Sequence, residues 1–207
     1  MADEKKPIVN PTADEIQEAA NKLNFNMDKN ELDTYEGFMD GLTNGVRFVD
    51  GLDEPTAAVN FPRTNVHRPN DDDNPYNAWF YKCNIKGAEH GKLAGKTLAI
   101  KDNIGVADVP MMNGSDVYEG YVPNEDASVV KRVLEEGGEI LGKAVCENFC
   151  FSGGSHTSAT GPVRNPHNED FMAGGSSSGC AALIVGGHCD IAIGSDQGGS
   201  VRMPASF

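Results

Sequence analysis

Between positions 177 and 187 the chain reads Ser-Ser-Gly-Cys-Ala-Ala-Leu-Ile-Val-Gly-Gly, without one charged side chain. A helix made from such a run is apolar on every side and cannot present a face to water. It must be covered, and a neighbouring sheet is the expected cover. Candidate strands stand on both sides of it. Thr-Leu-Ala-Ile leads into Lys101, residues 139–145 read Glu-Ile-Leu-Gly-Lys-Ala-Val, and residues 189–196 carry Ile-Ala-Ile. A helix is expected over 127–137, capped by Asp126, with Val129, Val130, Val133 and Leu134 inward and Gly137-Gly138 ending it. Strands alternating with helices of about ten residues predict an α/β fold with a mixed sheet flanked by helices.

The amino-terminal part has a different texture. Thr12 and Glu15 have the spacing of a capping box, followed by an apolar stripe of Ile16, Ala19, Ala20 and Leu23. A second helix is expected over residues 30–48, with Leu32, Phe38, Met39, Leu42 and Val46 near one face. Residues 53–77 hold four prolines and three consecutive aspartates and read as a solvated connector. The division expected is a helical region with linker over 1–77 and an α/β region over 78–207.

The chain's 207 residues carry a net charge of −14, which argues against nucleic acid or an anionic membrane as partner. No run is long and apolar enough to span a bilayer, and the start lacks the apolar core of a signal peptide. Five cysteines without framework spacing suit a reducing compartment, so a cytoplasmic protein is expected. Cys146 and Cys150, four apart, read as buried small hydrophobes; no second ligand pair follows to make a metal site.

Glycine–serine loops flank the uncharged run: Gly174-Gly175-Ser176-Ser177-Ser178-Gly179 before it, and Asp196-Gln197-Gly198-Gly199-Ser200 beyond it. Such loops can aim several backbone N–H groups into one concavity beside a hydroxyl, as an oxyanion hole requires. They serve ordinary turns as well. The phosphate-binding lysine motif, a dinucleotide glycine fingerprint and the G-x-S-x-G nucleophile elbow are all missing.

Three separated elements together resemble the amidase signature family of serine amidohydrolases. The serine loop 174–179 is similar to the family's Gly-Gly-Ser-Ser-Gly-Gly element, and residues 194–204 to its Gly-x-Asp-x-Gly-Gly-Ser-x-Arg-x-Pro element. The segment Thr-Leu-Ala-Ile-Lys-Asp-Asn-Ile resembles the strand that ends in the family's lysine. Ser178 stands where glycine is common. Within the family, the N-terminal helices and the segments Pro-Met-Met-Asn-Gly-Ser and Thr-Gly-Pro-Val-Arg-Asn-Pro look closest to bacterial amidases of nitrile metabolism. Family members are at least twice as long, so the chain is expected to be the amino-terminal portion of an amidase-signature fold.

The resemblance implies Lys101 as base, Ser176 as relay on a cis peptide and Ser200 as nucleophile in cleavage of an amide C–N bond. It implies oxyanion donors from the backbone of Gln197, Gly198, Gly199 and Ser200, with Gly175, Ser177, Asp196 and Arg202 supporting the site. Asp102 and Asn103 read as a turn or hydrogen-bonding pair. Met112, Asn113 and Gly114 are candidate pocket residues, though a turn there fits equally. A charged lysine cannot accept a proton, so Lys101 must be neutral when it acts, which burial favours. Without the resemblance, Ser176 also reads as a helix N-cap and Lys101 as a surface lysine. The expected substrate is a small-molecule amide, cleaved by a stand-alone enzyme that forms a homodimer when complete, with no metal or other cofactor. Two alternatives remain: a glutaminase subunit of amidotransferase A type, and an inactive amidase-like binding module.

Overall fold

The computed structural model describes residues 7–53 and 57–207. The chain divides into two units, Met1–Pro55 and Thr56–Phe207.

The first unit is a pair of helices, α1 (Ala13–Lys22) and α2 (Lys29–Asp50). Each opens with a complete capping box: Thr12 with Glu15, and Asp28 with Glu31. These boxes satisfy backbone N–H groups that the first turn leaves without partners, and so set where each helix begins. Packing is thinner than the apolar stripes suggest. Ala20 and Thr43 are buried, and Ile16, Leu32 and Met39 half-buried, while Leu23, Phe38, Leu42 and Val46 are exposed. Two helices share one seam, and the expected stripe on α2 is wider than that seam.

The second unit is built on a five-stranded mixed sheet. Its strands are β1 (Thr64–His67), β2 (Trp79–Lys86), β3 (Thr97–Lys101), β4 (Glu139–Ala144) and β7 (Ile191–Ile193). They lie side by side in the order β1-β2-β4-β3-β7. β3 runs parallel to both β4 and β7, whereas β1–β2 and β2–β4 are antiparallel. A separate two-stranded piece pairs β5 (Arg164–Asn165) with β6 (Asn168–Met172). The connector expected at 53–77 thus includes an edge strand of the main sheet.

Side chains alternate across a strand, and β3 uses that alternation fully. Leu98 and Ile100 join the apolar cluster containing Val130, Val133 and Leu134 of α3 (Ser128–Glu135). Ala99 joins the opposite cluster, with Cys180, Ala182 and Leu183 of α4 (Ser178–Val185). Lys101, two positions after Ala99, follows on the α4 side. Small residues let the helix approach: a Cβ on Gly179 would lie 2.6 Å from both Ala78 O and Val145 N.

Some expected details differ. Asp126 does not cap α3, whose N-cap is Ala127 without a side-chain bond. Its carboxylate instead pairs with the Arg63 guanidinium, both side chains being almost fully buried, and accepts from Ala107 N at 2.9 Å. A buried guanidinium needs an anion more than a helix end needs a cap. Val129 is partly exposed rather than inward. The carboxy-terminal end of α4 is not enclosed either: Ile184 and Val185 line a cleft of about 240 Å³ with Pro204 and Phe207. Of the serine loop, only Ser177 reaches that cleft.

One ion pair lies wholly inside the second unit. Lys143 Nζ stands 3.1 Å from Asp102 Oδ1, with side chains 0% and 1% exposed. Burial pushes the Asp102 carboxyl up, opposed by the Lys143 ammonium and by N–H donors from Met112 and Asn113. Removing one partner strands the other charge. Lys143→Met is expected to cost about 3–5 kcal/mol of stability, read from the urea midpoint; adding Asp102→Asn, which keeps an acceptor for Met112 N and Asn113 N, should recover part of it.

Candidate functional site

Lys101 closes β3 with no exposed surface. A buried amine must find acceptors, and three surround it: Ser176 Oγ at 2.7 Å, Ser195 Oγ at 2.9 Å and Ser195 O at 3.3 Å. No carboxylate pairs with it among the described residues. Its neighbour Lys143, on the adjacent strand, has Asp102 and is thereby committed to an ion pair. Lys101 has no such ion pair among the described residues; it donates to hydroxyls and a carbonyl.

Ser176 follows a cis peptide bond, Gly175–Ser176, and is fully buried. Ser177 occupies the N-cap position of α4 but does not cap it. Its hydroxyl donates to Ser195 O at 3.1 Å and accepts from Ser195 N at 3.3 Å, while its own N–H donates to Ser200 O at 3.0 Å. The serine loop and the glycine loop are therefore joined through Ser177, and Ser195 is held against Lys101. Beneath the serine loop Glu147 is buried; it accepts from Thr157 Oγ1 at 2.6 Å, and its N–H donates to Ser176 O at 3.3 Å.

Ser200 is 7% exposed at the end of the glycine loop, and its hydroxyl has no hydrogen-bond partner among the described residues. The Lys101–Ser176 contact is formed; a Ser176–Ser200 hydroxyl contact is not. Asp196 organises the loop around Ser200. It accepts from Gly199 N at 2.6 Å, Val201 N at 3.1 Å and Arg202 N at 3.2 Å, and takes a bidentate contact from the Arg202 guanidinium at 3.0 Å. Gly199 has φ +125°, a conformation that favours glycine. Of the four expected oxyanion donors, Gly199 N–H is thus already engaged by Asp196. The N–H groups of Gln197, Gly198 and Ser200 remain without partners among the described residues.

The remaining expected positions scatter around this centre. Asp102 accepts from Met112 N at 2.9 Å and Asn113 N at 2.8 Å and so anchors the 112–114 turn. Met112 is buried in the core, while Asn113 is half-buried. Asn103 donates to Ser195 Oγ at 3.0 Å. His156 is exposed. Ser195 was not singled out from the sequence, although it touches Lys101 through two atoms. Its only signal was its place beside Asp196 in a loop where several serines look alike. Cys146 is buried as expected and Cys150 is half-buried; both thiols donate to Asn113 Oδ1, at 3.8 and 3.4 Å. Among the described residues no group of three His, Cys, Asp or Glu is placed to hold a metal ion, and no helix is long and apolar enough to cross a membrane.

A family model described as Amidase matches residues 56–207. An enantioselective amidase of Rhodococcus rhodochrous is 54% identical over 134 residues, covering 64% of this chain and 26% of that protein. The A-type subunit of glutamyl-tRNA(Gln) amidotransferase from Haloarcula marismortui is 46% identical over 132 residues, covering 64% of this chain and 31% of its own length. The crystal structure of the corresponding subunit from Thermotoga maritima superposes with a TM-score of 0.56 at 41% identity, covering 57% of this chain and 26% of that one. The chain spans about a quarter to a third of the length of these relatives.

The Asp196–Arg202 pair yields a pH expectation. The guanidinium, with the loop N–H donors, holds the Asp196 carboxyl well below the usual carboxylate range. A depressed carboxylate contributes order above its unfolded value, near about 3.9, and that order is lost only as pH falls through the lower folded value. Carboxyl-carbon NMR should therefore give Asp196 a midpoint well below that of an unstructured aspartate, and Arg202→Ala should move it upward.

Proposed function

The chain belongs to the amidase family, and from that premise we propose that Ser200 cleaves the C–N bond of a carboxamide, with Ser176 passing its proton to Lys101. The observation that carries this reading is the 2.7 Å contact between two fully buried groups, Lys101 Nζ and Ser176 Oγ. A serine hydroxyl is a weak nucleophile until a base takes its proton. In the competent state Lys101 has shed its extra proton, and its amine accepts that of Ser176 as Ser176 Oγ accepts that of Ser200. The second half of the relay requires the unpartnered Ser200 hydroxyl to reach Ser176 Oγ.

Attack on the carbonyl moves negative charge onto its oxygen. The unpartnered N–H groups of Gln197, Gly198 and Ser200 are the donors available to that oxygen, and one such donor is worth about 3 kcal/mol. Gly199 acts differently from the other three: its N–H spends itself on Asp196, and so shapes the loop. The same relay run backwards delivers the proton to the leaving nitrogen, because an amide anion leaves badly. Water then releases the acid by the same route.

Two narrower readings divide on the amide that is used. One is a stand-alone amidase for small carboxamides; it is supported by the Rhodococcus rhodochrous relative and keeps the narrower likeness to amidases of nitrile metabolism. The other is glutaminase chemistry in a subunit of amidotransferase A type, supplying ammonia to a partner chain. The second has the broader support, since amidotransferase subunits of this type recur among the relatives and extend to a solved structure. It also replaces the expected homodimer by a heteromeric assembly.

The test uses the full-length protein. Ser200→Ala should abolish both amide turnover and labelling by a fluorophosphonate; unchanged turnover would defeat the reading. Lys101→Ala should lower the labelling rate by about 10²–10⁴-fold. Ammonia release from glutamine that needs a copurifying partner favours the amidotransferase reading; turnover of simple amides by the isolated chain favours the stand-alone enzyme.

A further inference from the structure

The protein has five free cysteines, and three of them lie in the core. Burial pushes the thiols of Cys83 and Cys180 up to about 12 and that of Cys189 up to about 11. Such thiols are unreactive at neutral pH. Cys146 and Cys150 stand apart from these. Cys146 has no exposed surface, whereas Cys150, in the short turn Asn148–Cys150, is half-buried.

Their sulfurs converge on one atom, lying 3.8 and 3.4 Å from Asn113 Oδ1, which accepts from no other group among the described residues. The Cys146 proton can turn from Asn113 to the Cys150 sulfur, which also lies within the electrostatic reach of Ser176 and Lys101. These contacts draw the Cys150 thiol down to about 6: the Cys146 donor contributes most, and the Lys101 charge adds to it against the effect of burial. Cys146 moves the opposite way, raised by the same bond and by burial. A nucleophilic, half-buried sulfur with a second thiol on the same acceptor has both parts needed for reversible oxidation.

We propose that Cys150 and Cys146 form a peroxide-sensitive thiol pair beside the Lys101–Ser176 contact, closing to a disulfide that disables the site. The chemistry stands on the thiols themselves; the functional consequence rests on Ser200 as nucleophile. The Cys150 thiolate attacks one oxygen of hydrogen peroxide and the O–O bond breaks. Sulfur is oxidised to a sulfenic acid, and the departing hydroxide takes a proton to become water. The Cys146 sulfur then attacks the Cys150 sulfur. The S–O bond breaks, and its hydroxyl leaves as a second water with the Cys146 proton. Two thiols and one peroxide thus become one disulfide and two waters.

The consequence follows from the shared acceptor. Oxidation removes the last S–H available to Asn113 Oδ1 and binds the Cys150 sulfur to Cys146. The 112–114 turn must then find another arrangement around an unpaired amide oxygen.

The full-length protein is treated with hydrogen peroxide, unfolded in iodoacetamide, digested without reduction and mapped by mass spectrometry. In parallel, the rate at which a fluorophosphonate labels Ser200 is followed. The peptide carrying Cys146 and Cys150 should be lighter by two hydrogens and unalkylated, while Cys83, Cys180 and Cys189 remain alkylated. Labelling should slow about tenfold, as loss of a buried hydrogen-bond partner does, and recover with dithiothreitol. Cys146→Ala should halt the reaction at a sulfenic acid on Cys150, trapped by dimedone. Cys150→Ser should keep its own labelling rate, whatever that is, through peroxide treatment. The inference is overturned if the two sulfurs do not link, if the linked protein labels at the untreated rate, or if Cys150→Ser loses as much to peroxide as the parent. Ser200 labelling with unlinked thiols would defeat this inference alone; amide turnover surviving Ser200→Ala would defeat the functional reading whatever the thiols do.

Discussion

A lysine amine with no exposed surface, held by three oxygen acceptors from two loops, is the contact around which the second unit is arranged. A buried amine is tolerated only where its hydrogen-bonding capacity is met. Meeting it requires Ser176 and Ser195, far apart in sequence, to reach the end of β3 together. The parallel register of β3 with β7, and the close approach of α4 permitted by Gly179, bring those loops there. The small residues around the site are thus a condition of burying this amine.

Two lysines on adjacent strands show how partners decide function. Lys143 and Lys101 are both fully buried near the carboxyl ends of their strands. Lys143 faces a carboxylate, which fixes it as a structural cation and, through Asp102, anchors the 112–114 turn. Lys101 faces hydroxyls and a carbonyl, and no carboxylate among the described residues. A similar contrast separates Cys150, set against a second thiol and a lysine, from the three thiols whose surroundings are apolar.

Much of this was readable from residue order. The uncharged run around α4, the strand ending at Lys101 and the two glycine–serine loops all stand out because their compositions exclude most alternatives. The Thr12–Glu15 capping box follows from local spacing alone; the Asp28–Glu31 box was not anticipated, although its spacing is the same. Errors arose where a residue's fate depended on something distant. Asp126 has the position of a cap but serves Arg63, and Val129 has the periodicity of a core residue but sits at the margin of a short helix. The edge strand β1 lay inside a proline-rich stretch whose composition resembles a connector.

What the sequence determined by itself is the local layer: the start of α1, strand alternation, the flexibility of the glycine loops and the chemical types at the site. These depend on interactions spanning a few residues, which spacing records. Only the tertiary structure decided which hydroxyls touch Lys101, that Ser195 is one of them, that Gly199 N–H is committed to Asp196, and that two cysteines share Asn113. Those outcomes turn on which atoms come within hydrogen-bonding distance once the sheet closes. Serines and thiols of the same type look alike in sequence until packing selects among them.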